Sequence, residues 1–153
     1  MTRLRTDIVQ VHPFRVVGGR LECLVLHRSA AEPDYPDAWQ VITGAIEPQE
    51  TASEAALREV IEETGIVPVS LVPFEVPSSY YLPDRDQIVL SPTFACRIDG
   101  EGAIVLCDEH DRGEWLDPSA ALGRLTFQAH RDGTRALIEW WGRQNHVQTA
   151  GHD

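Results

Sequence analysis

The chain has 153 residues, a length that fits one domain with a substantial core, and 42% of them are hydrophobic, as is typical of soluble globular proteins. Its net charge of −11 at pH 7 disfavours nucleic-acid binding, because that affinity depends on Lys and Arg side chains that neutralise phosphates. All 13 basic residues are arginine, which excludes Schiff-base chemistry and a P-loop lysine.

The N-terminal segment is predicted to form a β-hairpin. Apolar residues over 7–17 predict a strand, placed at an edge or a bulge because Pro13 cannot donate a ladder hydrogen bond. Gly18 and Gly19 predict a two-residue turn, and the mostly apolar residues 20–27 predict the second, largely buried strand. The hairpin therefore supplies two neighbouring strands of a sheet.

A loop and a short strand follow the hairpin. Residues 29–37 are rich in Ala, Pro, Asp and Glu and predict a loop that borders a substrate cleft. Residues 39–43 predict a short strand that leads into Gly44. Glycine permits a close approach of the backbone at this point of the chain.

A capped helix is predicted over residues 52–64. Thr51 and Glu54 have the spacing of a capping box, and Gly65 stands where a left-handed residue ends a helix. One side of this helix is apolar and is expected to pack on a sheet. Its residues are Ala52, Ala56, Leu57, Val60 and Ile61.

The rest of the chain alternates short strands and loops before it ends in helices. The predictions are strands over residues 68–77, 87–98 and 103–106, a loop over 78–86, a short strand within 108–116, helices over 120–125 and 128–146, and a frayed tail over 148–153. The odd number of cysteines and the absence of a C-x-x-C pair predict buried, reduced thiols in a cytoplasmic protein. They are Cys23, Cys96 and Cys107. No signal segment and no apolar run of membrane-spanning length is found, so we expect no membrane association.

Three carboxylates share one stripe of the predicted helix. Glu59, Glu62 and Glu63 lie at helical offsets 0, 3 and 4, where like charges destabilise a helix by roughly 0.2–0.5 kcal/mol per pair. The neighbouring Arg58 supplies one compensating charge, and a divalent cation such as Mg²⁺ supplies the rest and links carboxylates to substrate phosphates. The alternative is a solvated acidic helix without a ligand.

Residues 44–66 resemble the Nudix box, G-x5-E-x7-R-E-U-x-E-E-x-G-U, in which U is a bulky aliphatic residue. Gly44, Glu50 and residues 58–66 match every defined position. The resemblance implies an α/β/α sandwich with a mixed central β-sheet, present as a single Nudix hydrolase domain over residues 1–153. It also implies hydrolysis of a nucleoside diphosphate linked to another moiety, with Mg²⁺ or Mn²⁺ as cofactor.

The resemblance also assigns roles within the box. The catalytic and metal-binding carboxylates are Glu59, Glu62 and Glu63. Arg58 orients these carboxylates through bidentate hydrogen bonds, and Glu50 supports the cluster from the preceding loop. One glutamate of the box acts as general base, and which one is left open. Apart from the resemblance, the close approach that glycine permits leads us to expect that a backbone carbonyl of Thr43 or Gly44 faces the metal, with Gly44 as the ligand chosen.

A second acidic segment follows the predicted strands. Glu109, His110 and Trp115 resemble the E-H-x-x-x-x-W element of the Nudix branch that hydrolyses dihydroneopterin triphosphate and dATP. We therefore expect Glu109 to be the metal ligand outside the box, with Glu114 as second choice. An ordinary solvated loop acid is the alternative for Glu109, and His110 on its own is expected to be structural.

Substrate contacts are expected from four side chains. They are Arg28, Trp39, Thr43 and Tyr81. Arg28 would hold a phosphate of the substrate; the alternative is that it only caps the end of its strand. Residues 39–44 match the W-Q-x-x-T-G approach to the box in the same branch, although Trp39 and Trp115 are expected to serve the core first and base stacking second. Tyr81 and its neighbour Tyr80 lie near the base-stacking tyrosine of diadenosine-polyphosphate hydrolases. The branch's N-terminal substrate-binding lysine is absent, and only Arg3 or Arg5 could replace it.

The resulting hypothesis is an Mg²⁺-dependent pyrophosphohydrolase that cleaves a nucleoside or pterin triphosphate to a monophosphate and pyrophosphate. An ADP-ribose, nucleotide-sugar or diadenosine-polyphosphate hydrolase is the alternative within the family. A non-catalytic nucleotide-binding sensor is the alternative from another class, although such a sensor is expected to lack box carboxylates. The expected partner is a small nucleotide or pterin phosphate, with no nucleic acid and no membrane, and a homodimer is left open.

Overall fold

The structure, a computed structural model, describes residues 1–100 and 102–150 of the chain. Strands and helices alternate along the described part. The strands are β1 (Arg3–Arg5), β2 (Ile8–Val17), β3 (Arg20–Arg28), β4 (Trp39–Gln40), β5 (Ile42–Ala45), β6 (Ser70–Pro73), β7 (Ser78–Leu82), β8 (Gln87–Ser91), β9 (Thr93–Arg97) and β10 (His110–Leu116). The helices are α1 (Ala52–Thr64), α2 (Pro118–Arg124) and α3 (Gln128–Ala150).

The larger of two sheets forms the centre of the fold. Its strand order is β10-β3-β2-β9-β6, with β4 beside β3 and β5 beside β2. The β2–β9 pair is parallel and the other pairs are antiparallel, so the sheet is mixed. A smaller sheet has the order β1-β8-β7. The predicted α/β class with a mixed central sheet is confirmed.

Helices cover both faces of the large sheet. On one face α1 packs on a core that contains Val9, Val11, Leu24, Leu26, Ile42 and Val60. On the other face α2 and α3 pack on a core that contains Phe14, Cys23, Val25, Val41, Ala121 and Leu137. Successive residues of β2 and β3 alternate between the two cores because side chains of a strand point to opposite faces. None of the helices in the described part of the chain has the length and apolar character that a membrane crossing requires.

Pro13 lies in the central strand β2, so its predicted place at an edge or a bulge is wrong. On the β9 side, Gln10 N–H donates to the carbonyl of Pro92 (3.0 Å), and Phe14 C=O accepts from the N–H of Ile98 (2.8 Å). Backbone groups alternate in direction along a strand, so the Pro13 nitrogen faces the opposite side. There the neighbouring strand changes from β5 to β3. Pro13 has no backbone N–H, and it lies between the last residue of β2 that pairs with β5 and the first that pairs with β3. The missing N–H therefore costs no hydrogen bond between strands.

Helix α1 has the bounds that its end signals predict. The Thr51 hydroxyl accepts from the N–H of Glu54 (3.2 Å), and the Glu54 carboxylate accepts from the N–H of Thr51 (2.8 Å). Gly65 adopts φ 71° and its N–H donates to the carbonyl of Ile61 (2.8 Å). The capping box and the glycine C-cap are therefore confirmed.

The face that α1 buries differs in part from the prediction. Leu57 and Ile61 were expected to pack on the sheet but are 40% and 38% exposed, whereas Glu59 and Glu63 are only 8% and 6% exposed. The buried residues recur at intervals of three or four along the helix and include Ala55, Val60 and the two glutamates. The two carboxylates occupy one edge of the sheet-facing side, so the two aliphatic residues turn outward.

Several predicted elements differ from the observed ones. Residues 78–86, predicted as a loop, form β7 and a 3-10 turn over Pro83–Arg85. The run 87–98 is divided at Pro92 into β8 and β9, which belong to different sheets. Residues 103–106 pair with no strand, and the strand predicted there is wrong.

Three further differences concern a strand that was not predicted, an interrupted strand and the end of a helix. Strand β1 was not predicted, and the strand predicted over residues 39–43 is interrupted at Val41. Helix α3 continues to Ala150, beyond the predicted end at residue 146, and residues 151–153 of the predicted tail lie outside the described residues.

Buried histidines lie where α3 meets β2. The Gln10 side-chain amide contacts the His12 ring (2.8 Å) and donates to the carbonyl of Ala129 (3.1 Å). A Cβ atom on Gly133 would lie 2.1 Å from His12 Nε2, so the glycine makes room for the ring. Burial lowers the pKa of His12 to about 3 and that of His130 to about 4. Both rings are therefore neutral in the folded protein.

Candidate active site

The Arg58 guanidinium holds the acidic stripe of α1 together. Its Nε and Nη2 donate to the two oxygens of Glu50 (2.9 and 2.8 Å), and Nη1 donates to Glu59 (2.9 Å). Nη2 also donates to the carbonyl of Ala45 (2.8 Å), while both oxygens of Glu62 lie 3.4 Å from Nη1. These hydrogen bonds hold the pKa of Glu50 below its usual range. One arginine thus ties the loop, the end of β5 and the helix into one unit.

Glu59 is a buried carboxylate packed against the backbone of Gly44. A Cβ atom on Gly44 would lie 2.0 Å from Glu59 Cδ, so only glycine leaves room for this side chain. Desolvation raises the pKa of Glu59 to about 7, and the hydrogen bond from Arg58 opposes that rise. Arg58 therefore compensates only part of the cost of burying this charge, and a further cation near Glu59 would stabilise it.

Glu63 has different partners, which come from the segment that leads into β10. Its Oε2 lies 2.8 Å from His110 Nδ1 and 3.4 Å from the sulfur of Cys107. On the other side of the imidazole, His110 Nε2 lies 2.7 Å from the side-chain amide nitrogen of Gln40. The imidazole is buried and connects β4 to the helix. Glu63 is therefore held by the segment before β10, and its contacts in the described part of the chain do not include Arg58.

The acidic segment before β10 brings Glu109 to the same region. Its carboxylate is 56% exposed and lies 3.8 Å from Arg28 Nη1. The Arg28 side chain also donates to the carbonyl of Asp34 (2.9 Å) and contacts Glu32 (3.3 Å). The structure therefore places Arg28 beside the expected external carboxylate. Glu114, the second choice, instead pairs with an arginine of α2, Arg124 (2.9 Å).

Two of the remaining predicted contact residues lie apart from this cluster. The Trp39 ring is covered by the guanidinium groups of Arg112 and Arg124, at 5.2 and 4.6 Å from the ring centroid. It packs on the core beneath α2 and α3, whereas Trp115 packs on the core beneath α1. Tyr81 lies in the small sheet. The aromatic side chains therefore do not line one pocket.

Thr43 lies in β5, next to Gly44, and pairs in register with Gln10 of β2. Its backbone is thus adjacent to the glycine against which Glu59 packs. Strand β5, which leads into the box, is therefore held by its pairing with β2 and by the hydrogen bond from Arg58 to the carbonyl of Ala45.

Sequence reasoning missed Cys107, Gln40 and the contact role of His110. Cys107 was expected to be buried like Cys23 and Cys96, but it is partly exposed beside Glu63. The signal was present, because a cysteine and a histidine three residues apart are a spacing typical of metal ligands. No feature of the sequence alone places that pair against α1.

Comparison with known proteins gives a match to a family model and to several relatives. The model of the NUDIX domain family matches residues 6–141. The chain is 38% identical over 118 residues to the dihydroneopterin triphosphate diphosphatase of Escherichia coli K12, a match that covers 69% of this chain and 77% of that protein. It is 37% identical over 102 residues to an octanoyltransferase of Myxococcus xanthus, covering 65% of this chain but only 28% of that longer protein.

Solved structures give the same result. A NUDIX hydrolase of Listeria monocytogenes superposes with a TM-score of 0.76 at 26% identity, covering 90% of this chain and 95% of that one. The E. coli dihydroneopterin triphosphate pyrophosphohydrolase superposes with a TM-score of 0.69 at 26% identity, covering 84% and 92%. The matched region includes both α1 and the segment around β10.

Proposed function

Because this chain belongs to the NUDIX domain family, we propose that it is a hydrolase of phosphoric anhydride bonds that cleaves a nucleoside or pterin triphosphate between its α- and β-phosphates. The products are a monophosphate and pyrophosphate. The observation that carries the proposal is the cluster in which Arg58 gathers Glu50, Glu59 and Glu62 beside Gly44. We assign this activity to a single domain over residues 1–153.

The residues present fit a hard divalent cation. The proposed donors are carboxylate and carbonyl oxygens, the ligands that Mg²⁺ and Mn²⁺ prefer, and Glu59 is buried without full charge compensation. The residues that would hold the ion are Glu59, Glu62, Glu63, Glu109 and the backbone of Gly44. When bound, Mg²⁺ neutralises phosphate charge and lowers the pKa of the attacking water.

The other residues of the cluster position these donors. All three nitrogens of the Arg58 guanidinium are already engaged by the protein, so we assign it to orienting carboxylates and not to binding substrate. Glu50 supports Arg58 through the bidentate pair. Arg28 is the proposed phosphate contact, because its side chain lies beside Glu109 and can exchange the 3.3 Å contact with Glu32 for a phosphate oxygen. One glutamate of the box accepts the proton of the attacking water.

Two observations favour a substrate with a single base or pterin. The E. coli relative with 38% identity is named a dihydroneopterin triphosphate diphosphatase. A dinucleotide needs two aromatic-lined pockets, whereas here the Trp39 ring is covered by two arginines and Tyr81 lies in the other sheet. A short phosphate chain with one ring system needs only one pocket. Thr43, which is adjacent to Gly44, is the proposed contact on the approach to the box.

A substrate screen tests the proposal. For nucleoside and deoxynucleoside triphosphates and dihydroneopterin triphosphate, phosphate release is measured with inorganic pyrophosphatase added or omitted. For ADP-ribose, nucleotide sugars and diadenosine polyphosphates, whose cleavage yields phosphomonoesters and no pyrophosphate, it is measured with alkaline phosphatase added or omitted. We expect a triphosphate to give the highest turnover and to release phosphate only when pyrophosphatase is added. Highest turnover on ADP-ribose or on a dinucleotide would refute the triphosphate assignment. If a compound binds tightly but none is hydrolysed with Mg²⁺ or Mn²⁺, the result would instead support a non-catalytic nucleotide-binding sensor.

A further inference from the structure

A group of sulfur, nitrogen and oxygen ligands lies at one end of the acidic cluster. Ligand atoms of Glu63, Cys107, Glu109 and His110 all lie within 4.8 Å of one another. We propose that these four residues form a second cation site that takes Zn²⁺ or a similar borderline-soft transition metal. The site shares only Glu63 and Glu109 with the proposed Mg²⁺ site. This inference rests on the ligand set itself and does not depend on which substrate the enzyme hydrolyses.

The spacing of three ligand atoms matches a tetrahedral ion. With metal–sulfur distances of about 2.3 Å and metal–nitrogen or metal–oxygen distances of about 2.0–2.1 Å, tetrahedral ligands lie roughly 3.3–3.6 Å apart. Here the sulfur of Cys107 lies 3.4 Å from Glu63 Oε2 and 3.6 Å from His110 Nδ1. The 2.8 Å contact between Glu63 and His110 must lengthen by about 0.5 Å, because an ion replaces the shared proton. Little rearrangement is needed.

Gln40 can orient His110 for this purpose. A ligating histidine commonly donates its other N–H to an oxygen, which fixes the tautomer. The Gln40 amide lies 2.7 Å from His110 Nε2, and a half-turn of the amide presents its oxygen to that nitrogen. His110 Nε2–H then donates to Gln40, and Nδ1 is left free to bind a metal. A buried partner for the imidazole is therefore already in place.

The chemistry of the donors separates this site from the one proposed for Mg²⁺. Magnesium takes oxygen ligands, whereas thiolate with imidazole is typical of zinc and related transition metals. On binding, the Cys107 sulfur forms a bond to the metal and its proton passes to solvent. The exposed Glu109 carboxylate supplies the fourth ligand when it moves away from Arg28 Nη1, which lies 3.8 Å from it. Because Glu63 and Glu109 are shared, an occupied site would withdraw both carboxylates from the proposed Mg²⁺ site.

Titration of the full chain with Co²⁺, a spectroscopic substitute for Zn²⁺, tests the proposal. We expect one equivalent to produce a thiolate-to-cobalt charge-transfer band in the near ultraviolet, which Zn²⁺ removes and Mg²⁺ does not. Cys107→Ser should abolish the band and weaken Zn²⁺ binding at least ~10-fold. Glu62→Gln is the matched control: it removes a box carboxylate that lies outside this ligand group and should leave the band unchanged. Cys23 and Cys96 are buried in the core and cannot supply the thiolate.

The absence of the band from the wild-type protein, or its persistence in Cys107→Ser, would overturn the proposal. If that variant does not fold, alkylation of the wild-type protein followed by peptide mapping replaces it. Zn²⁺ should then slow labelling of Cys107 at least tenfold relative to Mg²⁺. Equal labelling rates with the two ions would also overturn the proposal.

Discussion

Replacing Gly44 with alanine should reduce catalysis far more than stability. The added Cβ would lie 2.0 Å from Cδ, 2.1 Å from Oε1 and 2.5 Å from Cγ of Glu59. Ordinary van der Waals contacts begin near 3.4 Å, so the carboxyl group must move by roughly 1.4 Å. That movement also breaks the 2.9 Å hydrogen bond from Arg58. The substitution therefore displaces one proposed metal ligand without removing it.

The expected magnitudes follow from what has to move. The atoms in the way belong to the end of a flexible side chain, so the free energy of unfolding should fall by no more than about 1–2 kcal/mol. A misplacement of about 1 Å in an active site can cost roughly a hundredfold in rate. We expect kcat to fall by about a hundredfold or more and Mg²⁺ to bind more weakly.

The measurements are steady-state pyrophosphate release on the best triphosphate and denaturant unfolding of the same preparations. Gly142→Ala in α3 is the matched control, because no atom lies within 4 Å of its added Cβ. It should retain wild-type kinetics and gain about 0.5–1 kcal/mol of stability, since alanine is the better helix former. A Gly44→Ala variant that keeps both wild-type kcat and wild-type Mg²⁺ affinity would refute the reasoning.

Two further predictions concern the metal and pH. Glu63→Gln removes a proposed metal ligand and keeps the side-chain shape, so turnover should fall at least about a hundredfold. For the same reason, Mg²⁺ should raise the Tm of the variant less than that of the wild type. A folded variant with unchanged activity, or a wild-type Tm unaffected by millimolar Mg²⁺, would contradict this. His12 and His130 are held neutral with pKa values of about 3 and about 4, whereas the unfolded chain protonates them below about pH 6.5. Their contribution to stability is therefore complete above pH 6.5 and falls as the pH decreases, by about 2–3 kcal/mol each at pH 4.5. Urea unfolding at pH 7 and pH 4.5 should show a smaller loss in His130→Gln, and an equal loss would count against the assignment.

Features that depend on neighbours in the sequence were predictable. The caps of α1 require only Thr51, Glu54 and Gly65, all within one or two turns of the helix ends, and the structure forms both of them. The contact of Arg58 with Glu62 is likewise local, because residues four apart on a helix lie side by side. The α/β class was expected from the resemblance of residues 44–66 to the Nudix box, and that expectation is confirmed.

Features that depend on distant partners were not predictable. Strand β7 is a polar Ser–Tyr segment that forms a strand because it pairs with β8 across the 3-10 turn. Leu57 and Ile61 lie on an apolar side of α1, yet the sheet covers the adjacent side that carries Glu59 and Glu63, and no local pattern fixes that choice. Cys107 meets Glu63 from 44 residues away, and no local pattern encodes that contact.

Strand pairing in this fold has a consequence for how the chain folds. Arg3 pairs with Gln87, Gln10 with Thr93 and Arg28 with His110, so three pairings each join residues more than 80 positions apart. Each of them closes a long loop, whose entropy is lost before the contact is gained, and such topologies fold slowly for their size. During synthesis β2 and β3 can form a hairpin early, yet they lack β9 until residue 97 has emerged and β10 until residue 116 has emerged. The contact of Glu63 in α1 with His110 at the start of β10 therefore forms only after this late segment has emerged.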